Sequence, residues 1–242
     1  MPLVFQVRLY DSLGSTNDEA RRLAGAGAPH GTVVSAREQT AGRGREARRW
    51  ASPPGNLYAS FVLRLDLPAA RLAELSFVSA LVVADAVDAL LPAGPRAELK
   101  WPNDVLVGGK KISGILIEWV AETAIVGIGL NVLCRPDDTT YPATSLAHAG
   151  APAPTVDAAR SGVLDAIASR LEEWVDHGFA PVRAAWLARA HKPGTGLKVT
   201  VGGVTRQGIF ADLGLDGALL LETPEGVCRI LAGDVMTAAP KT

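Results

Sequence analysis

Several runs of alternating or continuous apolar residues predict β-strands along the chain. VFQVRLY at residues 4–10 has the two-residue period of a half-buried strand. Further strands are predicted around residues 32–34 and over residues 57–65, the latter after a turn rich in Pro and Gly. Between residues 98 and 131, extended runs are separated by tight turns such as Gly108-Gly109, which predicts antiparallel hairpins.

A short helix is predicted between the first two strands. The stretch STNDEARRLAGAG has helical character and ends at Gly25 or Gly27, residues that commonly close helices. Thr16, with Glu19 three residues later, fits a capping box at the start of this helix.

Three longer segments predict further helices. Residues 68–91 form an apolar pattern close to helical spacing, which indicates a buried helix behind the sheet. Another helix is predicted over residues 156–177, with Thr155 as N-cap and Gly178 as C-cap. A shorter one is predicted over residues 181–190.

After the segment HKPGTG the pattern changes to short alternating strands with frequent glycine turns, which is typical of a small β-barrel. The predicted fold class is therefore α/β (α+β): a mixed, largely antiparallel sheet backed by helices, followed by a small C-terminal β-barrel. We expect the boundary near Pro193, which gives a main domain over residues 1–192 and a small domain over residues 193–242.

The chain is close to electrically neutral, with 24 Lys and Arg against 25 Asp and Glu, so its overall charge does not favour nucleic acid or anionic membranes. Its first residues lack a secretion signal, and later apolar segments are interrupted by charges such as Asp85 and Glu118. We expect a cytoplasmic protein without membrane attachment. Cys134 and Cys228 lie outside any CxxC pattern and are expected to be free, buried thiols.

Local charge concentrates in GRGREARRW, residues 42–50, where four arginines accompany two glycines; we call this segment the arginine loop. Glycines allow backbone N–H groups to approach phosphate oxygens, and guanidinium groups pair with those oxygens. The loop therefore resembles an anion cradle. A solvated basic surface loop remains an alternative, since the nucleotide signatures GxGxxG and GxxxxGK[ST] are absent.

A second unusual stretch is KWPNDVLVGGKKISGILIE, residues 100–118. Lys100 ends an apolar strand, where an ammonium group is costly unless it meets an anion. Asp104 is explained as a turn residue that caps its own loop, and Trp101 as a core residue. Lys110 and Lys111, beside the Gly-Gly hairpin, are expected to be solvated.

Four segments together resemble the biotin-protein ligase family in order and spacing: STN at 15–17, EQTAGRGREARRW at 38–50, KWPNDVLVGGKKISGILIE at 100–118 and GIGLN at 127–131. The similarity covers nearly the whole chain. In that family, the biotin carboxylate attacks the α-phosphate of ATP to give biotinyl-5′-AMP. A lysine amine of a carrier protein then takes the acyl group.

The resemblance implies a monofunctional, ATP-dependent biotin-protein ligase. Its substrates are biotin and ATP, and its partner is the biotin carboxyl carrier protein domain of a biotin-dependent carboxylase. Mg²⁺ is expected to arrive with the ATP phosphates rather than in a protein metal site. The resemblance also implies that residues 1–192 form a class II synthetase-like catalytic domain that binds biotin and ATP, and that residues 193–242 form an SH3-like barrel.

The resemblance also assigns roles to individual residues. Lys100 and Arg45 are expected to be catalytic, because fixed cations in a water-poor site stabilise the charge of a carboxylate that attacks a phosphate. Biotin contacts are expected from Ser15, Thr16, Asn17, Gln39, Arg43, Gly44, Arg45 and Lys100. Contacts with ATP or the adenylate are expected from Arg45, Arg48, Trp50 and Asn131. Core packing of Trp50, turn closure by Asn131 and ordinary loop positions for Asn17 and Gln39 remain alternatives.

Two features depart from the family's pattern. Glu46-Ala47 stands where the family often has Arg-Gly, which lowers the charge and flexibility of the arginine loop and bears on its closure. The helix at Thr16 begins close to the first residue, which leaves no room for the N-terminal winged helix-turn-helix of repressor-type members. We therefore expect a ligase that does not bind DNA.

Two other functions remain open from the sequence. A lipoate- or octanoate-protein ligase uses similar adenylation chemistry but lacks the GRGRxxRxW signature. A non-catalytic nucleic-acid-binding module would use the arginine loop as a basic patch and the C-terminal barrel as a reader. Such a module is expected to interleave aromatic residues, yet Trp50 is the sole aromatic of the loop and Phe210 that of the barrel segment.

Overall fold

A seven-stranded sheet forms the larger part of the fold in the computed structural model, which describes residues 4–137, 139 and 141–237. Its strands are β1 (Gln6–Leu13), β2 (Thr32–Gln39), β3 (Leu57–Arg64), β4 (Ala97–Lys100), β5 (Asp104–Val107), β6 (Lys110–Val120) and β7 (Thr123–Leu130). They lie in the order β1-β2-β3-β7-β6-β5-β4, and every neighbouring pair is antiparallel except β1 and β2. The predicted mixed, largely antiparallel sheet is confirmed.

Strand burial follows position in the sheet. The central strands β3 and β7 are buried along almost their whole length, whereas the edge strand β1 is mostly exposed. The predicted hairpin between β5 and β6 is confirmed: Gly108 and Gly109 have φ values of 56° and 69°. Two successive positive φ values suit glycine and match the twist of antiparallel strands.

Four α-helices accompany this sheet in the described part of the chain: α1 (Thr16–Gly25), α2 (Leu75–Leu90), α3 (Val156–His177) and α4 (Phe179–Leu187). Helix α2 is apolar on nearly all sides because it lies between the sheet and α3. The predicted caps of α3 are confirmed, since the Thr155 side chain accepts a hydrogen bond from Ala158 N at 3.1 Å and Gly178 closes the helix with φ 75°.

The bounds of two predicted helices need correction. The segment predicted as one helix over residues 68–91 is divided into a 3-10 segment, Ala69–Glu74, and α2. Helix α4 begins at Phe179 rather than residue 181, because Gly178 serves both as C-cap of α3 and as N-cap of α4. It ends at Leu187 rather than residue 190.

The capping box at Thr16 is also wrong. Ser15 is the N-cap of α1 and makes no side-chain capping bond. The Thr16 hydroxyl donates instead to Gln39 Oε1 at 3.0 Å, and Glu19 pairs with Arg22 at 2.7 Å. A tertiary partner therefore takes the Thr16 hydroxyl, and a neighbour within α1 takes the Glu19 carboxylate.

A second, five-stranded antiparallel sheet confirms the small C-terminal β module. Its strands are β8 (Gly196–Val201), β9 (Val204–Leu213), β10 (Leu219–Thr223), β11 (Gly226–Ile230) and β12 (Asp234–Thr237), in the order β11-β10-β9-β8-β12. Residues 1–3 and 238–242 of the two proposed domains lie outside the described residues.

One apolar core runs through both sheets. Trp101, after β4, is buried as predicted, and its Nε1 donates to Gly217 O, in the turn between β9 and β10, at 3.0 Å. Gly217 has φ +81°, and a Cβ there would lie 2.5 Å from Phe77 Cε2 of α2. The division at residues 192 and 193 stays a prediction.

Both cysteines are free, as predicted, but they are not buried. Cys134 is exposed in the segment after β7, and Cys228 is half-buried in β11, an edge strand of the second sheet. Across the described residues, no helix is both long and apolar enough to cross a membrane.

Candidate active site

A cavity of about 840 Å³ opens between the N-terminus of α1, the arginine loop, the β4–β7 side of the large sheet and strand β12. Every predicted site residue lines it: Ser15, Thr16, Asn17, Gln39, Arg43, Gly44, Arg45, Arg48, Trp50, Lys100 and Asn131. Segments far apart in sequence thus meet at one place, and the polar groups of the cavity face a partly apolar wall.

At the α1 end, uncharged polar groups form a fixed cluster. Thr16 donates to Gln39 Oε1 through its backbone N at 2.8 Å and through its hydroxyl at 3.0 Å, and Gln39 Nε2 donates to Ser52 Oγ at 2.9 Å. The Ser15 hydroxyl makes no capping bond to the helix, and Ser15 is 95% buried at the cavity wall. This end of the cavity can hydrogen-bond a neutral polar ligand group.

Asn17 is occupied by protein partners. Its Oδ1 accepts from Ser60 Oγ at 2.6 Å, and its Nδ2 donates to Glu118 Oε2 at 2.7 Å. Asn17 also lies against Gly127 so closely that a Cβ at Gly127 would collide with its amide. Asn17 is therefore neither an ordinary loop residue nor a free donor; it fixes α1 to β6 and β7 beside the cavity.

The arginines of the loop have three different environments. Arg43 makes two 2.7 Å bonds to Asp18 and also reaches Glu118 at 3.1 Å. These bonds from Arg43 lower the pKa of the Asp18 carboxyl and raise the pKa of Arg43. Arg48 pairs with Asp234 of β12 at 2.9 Å, whereas Arg45 reaches only neutral oxygens, Asn103 Oδ1 at 3.3 Å and Gly233 O at 3.4 Å.

The arginine loop is folded upon itself. Gly44 N donates to Arg48 O at 2.7 Å, and Arg43 and Arg49 form an isolated antiparallel bridge. Glu46 and Ala47 have φ values of 54° and 55°, in the left-handed region. A residue with a Cβ costs roughly 1–2 kcal/mol there. The Glu46-Ala47 departure therefore places strain at the tip of the loop.

Trp50 lies flat against the sheet at the end of the loop. A Cβ at Gly129 would come within 2.6 Å of its ring, and one at Gly114 within 3.0 Å. Its Nε1 is buried without a hydrogen-bond partner among the described residues, and Lys111 Nζ lies 5.4 Å from the ring centroid. Trp50 is therefore packed on the cavity floor rather than in the main core.

Lys100 has an anionic partner, as its burial requires. It is 92% buried, its Nζ lies 2.8 Å from Asp104 Oδ2, and the Tyr141 ring centroid is 4.4 Å away. Asp104 also lies 2.5 Å from Lys111 Nζ. Burial alone would raise the pKa of Asp104, but Lys111 and Lys100 together lower it.

Two predictions about this cluster were wrong. Asp104 does not cap its own loop; it joins two ammonium groups. Lys111 is not a solvated turn residue but lines the cavity, while Lys110 is exposed. Strand alternation offered a signal, since successive side chains of β6 point to opposite faces, so that only one of the two lysines could face Asp104.

Asn131 combines two placements. Its Nδ2 donates to Thr144 O at 2.9 Å, and its backbone N donates to Ile112 O at 2.9 Å, so it fixes the segment after β7. It also lines the cavity. Asn131 therefore closes the turn after β7 through its hydrogen bonds, and it also lies at the cavity wall.

No group of three or more His, Cys, Asp and Glu in the described ranges has a geometry that could hold a metal ion. Two acids line the cavity, Asp104 and Asp234, and both are paired with basic side chains. The donor set therefore does not form a protein cage for a divalent cation.

The mixed sheet, the arginine loop and the paired lysines form a cavity suited to anionic substrates, and comparison with known proteins shows that it is the cavity of a ligase domain. The chain belongs to the Biotin/lipoate A/B protein ligase family, whose model matches residues 11–133.

Similar proteins extend the match over most of the chain. The Biotin--[acetyl-CoA-carboxylase] ligase of Paracoccus denitrificans is 39% identical over 239 residues, covering 91% of this chain and 96% of that protein. The Bifunctional ligase/repressor BirA of Bacillus subtilis is 37% identical over 242 residues, covering 93% of this chain and 72% of that protein. The biotin protein ligase of Aquifex aeolicus in complex with biotin and ATP has a TM-score of 0.83 and 28% identity, and the match covers 96% and 99% of the two chains.

Proposed function

We propose that this chain is a biotin-protein ligase. It activates biotin with ATP to biotinyl-5′-AMP and transfers the biotinyl group to a lysine of a biotin carboxyl carrier protein domain. The observation that carries the proposal is that one cavity holds both a neutral polar cluster at Thr16 and Gln39 and a paired-ammonium cluster at Lys100 and Lys111. Relatives named as biotin ligases support the choice of substrate.

Biotin fits the chemistry of the α1 end. Its ureido group is neutral and polar, and its ring and tail are apolar, so a pocket with a few fixed hydrogen-bonding groups and aliphatic walls suits it. Ser15, Thr16 and Gln39 supply the polar groups, and Ile115 and Ile128 line the cavity nearby. Asn17 and Arg43 hold this end in place through Glu118.

Adenylation brings two anions together. A biotin carboxylate oxygen forms a bond to the α-phosphorus while the bond to pyrophosphate breaks, so negative charge accumulates at phosphate oxygens. Lys100, Lys111 and Arg45 offer cationic groups at the cavity wall, and Asp104 fixes the two lysines. In the second step, the acceptor amine attacks the acyl carbon, AMP leaves, and the amine proton passes to solvent.

The nucleotide occupies the side of the cavity bounded by Arg48, Trp50 and Asn131. Strand β12 adds Asp234, Val235 and Met236 to the wall, which supports a role for the C-terminal module in ATP binding. Because Asp104 and Asp234 are already paired, Mg²⁺ enters on the ATP phosphates and takes few or no protein ligands.

Biotin-dependent exchange of pyrophosphate into ATP tests the first half-reaction. We expect exchange with biotin but not with lipoate or octanoate. We also expect Lys100→Ala and Arg45→Ala to lower the rate by about 10²–10³, the usual effect of removing one fixed donor to a transition-state charge. Arg37→Ala is the matched control, since Arg37 is exposed and lies outside the cavity. Exchange with lipoate but not with biotin would show that lipoate is the acid substrate. Exchange with none of the acids would contradict the proposal.

A further inference from the structure

A row of side chains crosses the edge of the large sheet through Lys100. Lys100 and Asp104 are direct partners in the antiparallel pair β4 and β5. On the other side of β4, the chain after α4 runs parallel to it: Leu99 N donates to Arg189 O at 2.9 Å, and Leu99 forms a parallel bridge with Ala190. The residues that follow this bridge, Lys100 and His191, share one face of the sheet. Lys100 therefore has Asp104 as its inner neighbour and His191 as its outer neighbour.

The His191 side chain is only partly accessible, and its Nε2 is buried without a hydrogen-bond partner within residues 4–137, 139 and 141–237. Buried polar atoms are nearly always paired, so an unpaired one calls for an explanation beyond folding stability. The charged groups facing it from β4 are Lys100 and Glu98. On its own segment, Arg189 is paired with Asp85 and Asp88 of α2.

We propose that His191 is a positioning residue for Lys100 in the adenylation step. As a neutral imidazole, it fills the outer flank of the ammonium group and confines that group to Asp104 and the cavity. The inference rests on the proposed function, because it names a residue that serves the same site. In the proposed role, His191 does not contact the substrates, since Lys100 lines the cavity and His191 does not.

Among the titratable neighbours of Lys100, His191 is the one whose ordinary pKa lies nearest to neutral pH. Burial lowers the pKa of His191, and the charge of Lys100 lowers it further, so His191 is neutral at pH 7. The pKa of Asp104 is also lowered, and burial raises that of Tyr141, so these two neighbours of Lys100 keep one charge state between about pH 5 and pH 8. Protonated His191 would place a further cation beside Lys100, which already shares Asp104 with Lys111, and would displace the Lys100 ammonium group.

The pH profile of biotin-dependent pyrophosphate exchange tests this positioning role. We expect His191→Gln to keep a rate within about threefold of the original at pH 8, because glutamine is neutral. As the pH falls through the lowered pKa of His191, which the NMR titration below measures, we expect the rate of the unaltered chain to fall about tenfold further than that of His191→Gln, by like-charge repulsion. His191→Lys, with a permanent charge, is expected to lose at least tenfold at pH 8 while keeping its circular dichroism spectrum.

The control variant is His30→Gln, since His30 lies outside the cavity and accepts a hydrogen bond from Arg64 N. Its pH profile should match that of the unaltered chain. Superimposable profiles for His191→Gln and the unaltered chain would overturn the inference while leaving the proposed function intact. Absence of exchange at every pH would instead contradict the proposed function.

A second measurement does not depend on activity. Titration of the histidine ring signals by NMR should show that Lys100→Met raises the pKa of His191 and leaves that of His30 unchanged, because the substitution removes the neighbouring positive charge. An unchanged pKa of His191 in Lys100→Met would show that the two side chains are not coupled and would overturn the inference.

Discussion

At the scale of single residues, two adjacent lysines of β6 illustrate how position decides chemistry. Lys111 lies in the cavity, 2.5 Å from Asp104, whereas Lys110 is exposed beside the Gly-Gly turn. Because both lysines carry the same formal charge, a difference in activity between variants of Lys110 and Lys111 would reflect the position of the residue rather than the net charge of the chain.

We expect Lys111→Met to lower biotin-dependent pyrophosphate exchange by about 10²–10³, because it removes a fixed cation from the cavity wall. Lys110→Met is the matched control and should stay within about twofold of the original rate, as surface substitutions usually change little. Equal rates for the two variants would show that Lys111 has no part in the reaction.

The sequence predicts the members of the site better than their partners. Motif residues such as Gln39 and Lys100 could be assigned to one site because the family resemblance supplies their common purpose. The pairing of Asp104 with Lys111, and the approach of His191 to Lys100, depend on strand register and on a chain segment nearly a hundred residues away. Neither the register nor that approach can be read from local pattern.

At the scale of elements, two helix N-termini carry hydroxyl residues with different uses. Thr155 caps α3 through a hydrogen bond from Ala158 N, whereas Ser15 begins α1 without such a bond and borders the cavity. Thr155 therefore has a structural role as an N-cap, whereas Ser15 has a proposed role in ligand binding.

Thr155→Ala should lower the free energy of unfolding by about 1 kcal/mol, the usual effect of losing an N-cap side chain, and leave the KM for biotin unchanged. Ser15→Ala should lower the free energy of unfolding by less than Thr155→Ala does, because the Ser15 side chain makes no capping bond, and should raise the KM for biotin. Urea denaturation and exchange kinetics measure the two quantities. An unchanged KM for biotin in Ser15→Ala, with a raised KM in Thr155→Ala, would contradict the placement of Ser15 at the biotin end.

Element types could be predicted from periodicity, whereas element ends could not. The apolar pattern over residues 68–91 predicts a single helix, yet a 3-10 segment precedes α2 because Arg71 and Glu74 are tied to each other and to Trp174 of α3. Those tertiary bonds override the helical spacing. The Gly-Gly hairpin, by contrast, depends on two adjacent residues and was predicted from them.

At the scale of the whole molecule, pH acts on stability through groups with shifted pKa values. Burial lowers the pKa of His191 below its ordinary value of 6.5 in the folded chain. As pH falls through about 6.5, the unfolded chain therefore binds this proton before the folded chain does. The free energy of unfolding decreases until the folded pKa is passed.

Asp104 acts in a lower pH range. Its folded pKa is lowered by Lys111 and Lys100 against the effect of burial, so its contribution to stability is present above about pH 4 and is lost as pH falls through the folded pKa. We expect His191→Asn to reduce the loss of stability between pH 7 and pH 5, measured by urea denaturation, and to leave the steep loss below pH 4. Equal slopes between pH 7 and pH 5 would contradict the pKa direction of His191.

Transfer of biotin to a biotin carboxyl carrier protein domain tests the central claim most directly, because it requires the cavity, both substrates and the acceptor together. With catalytic amounts of this chain, ATP, Mg²⁺ and biotin, intact-mass spectrometry should show one biotinyl group on the carrier. The product should be absent without ATP, absent when the acceptor lysine is replaced by arginine, and strongly reduced with Lys100→Ala. An unmodified carrier in the complete reaction, or modification by lipoate in place of biotin, would contradict the account.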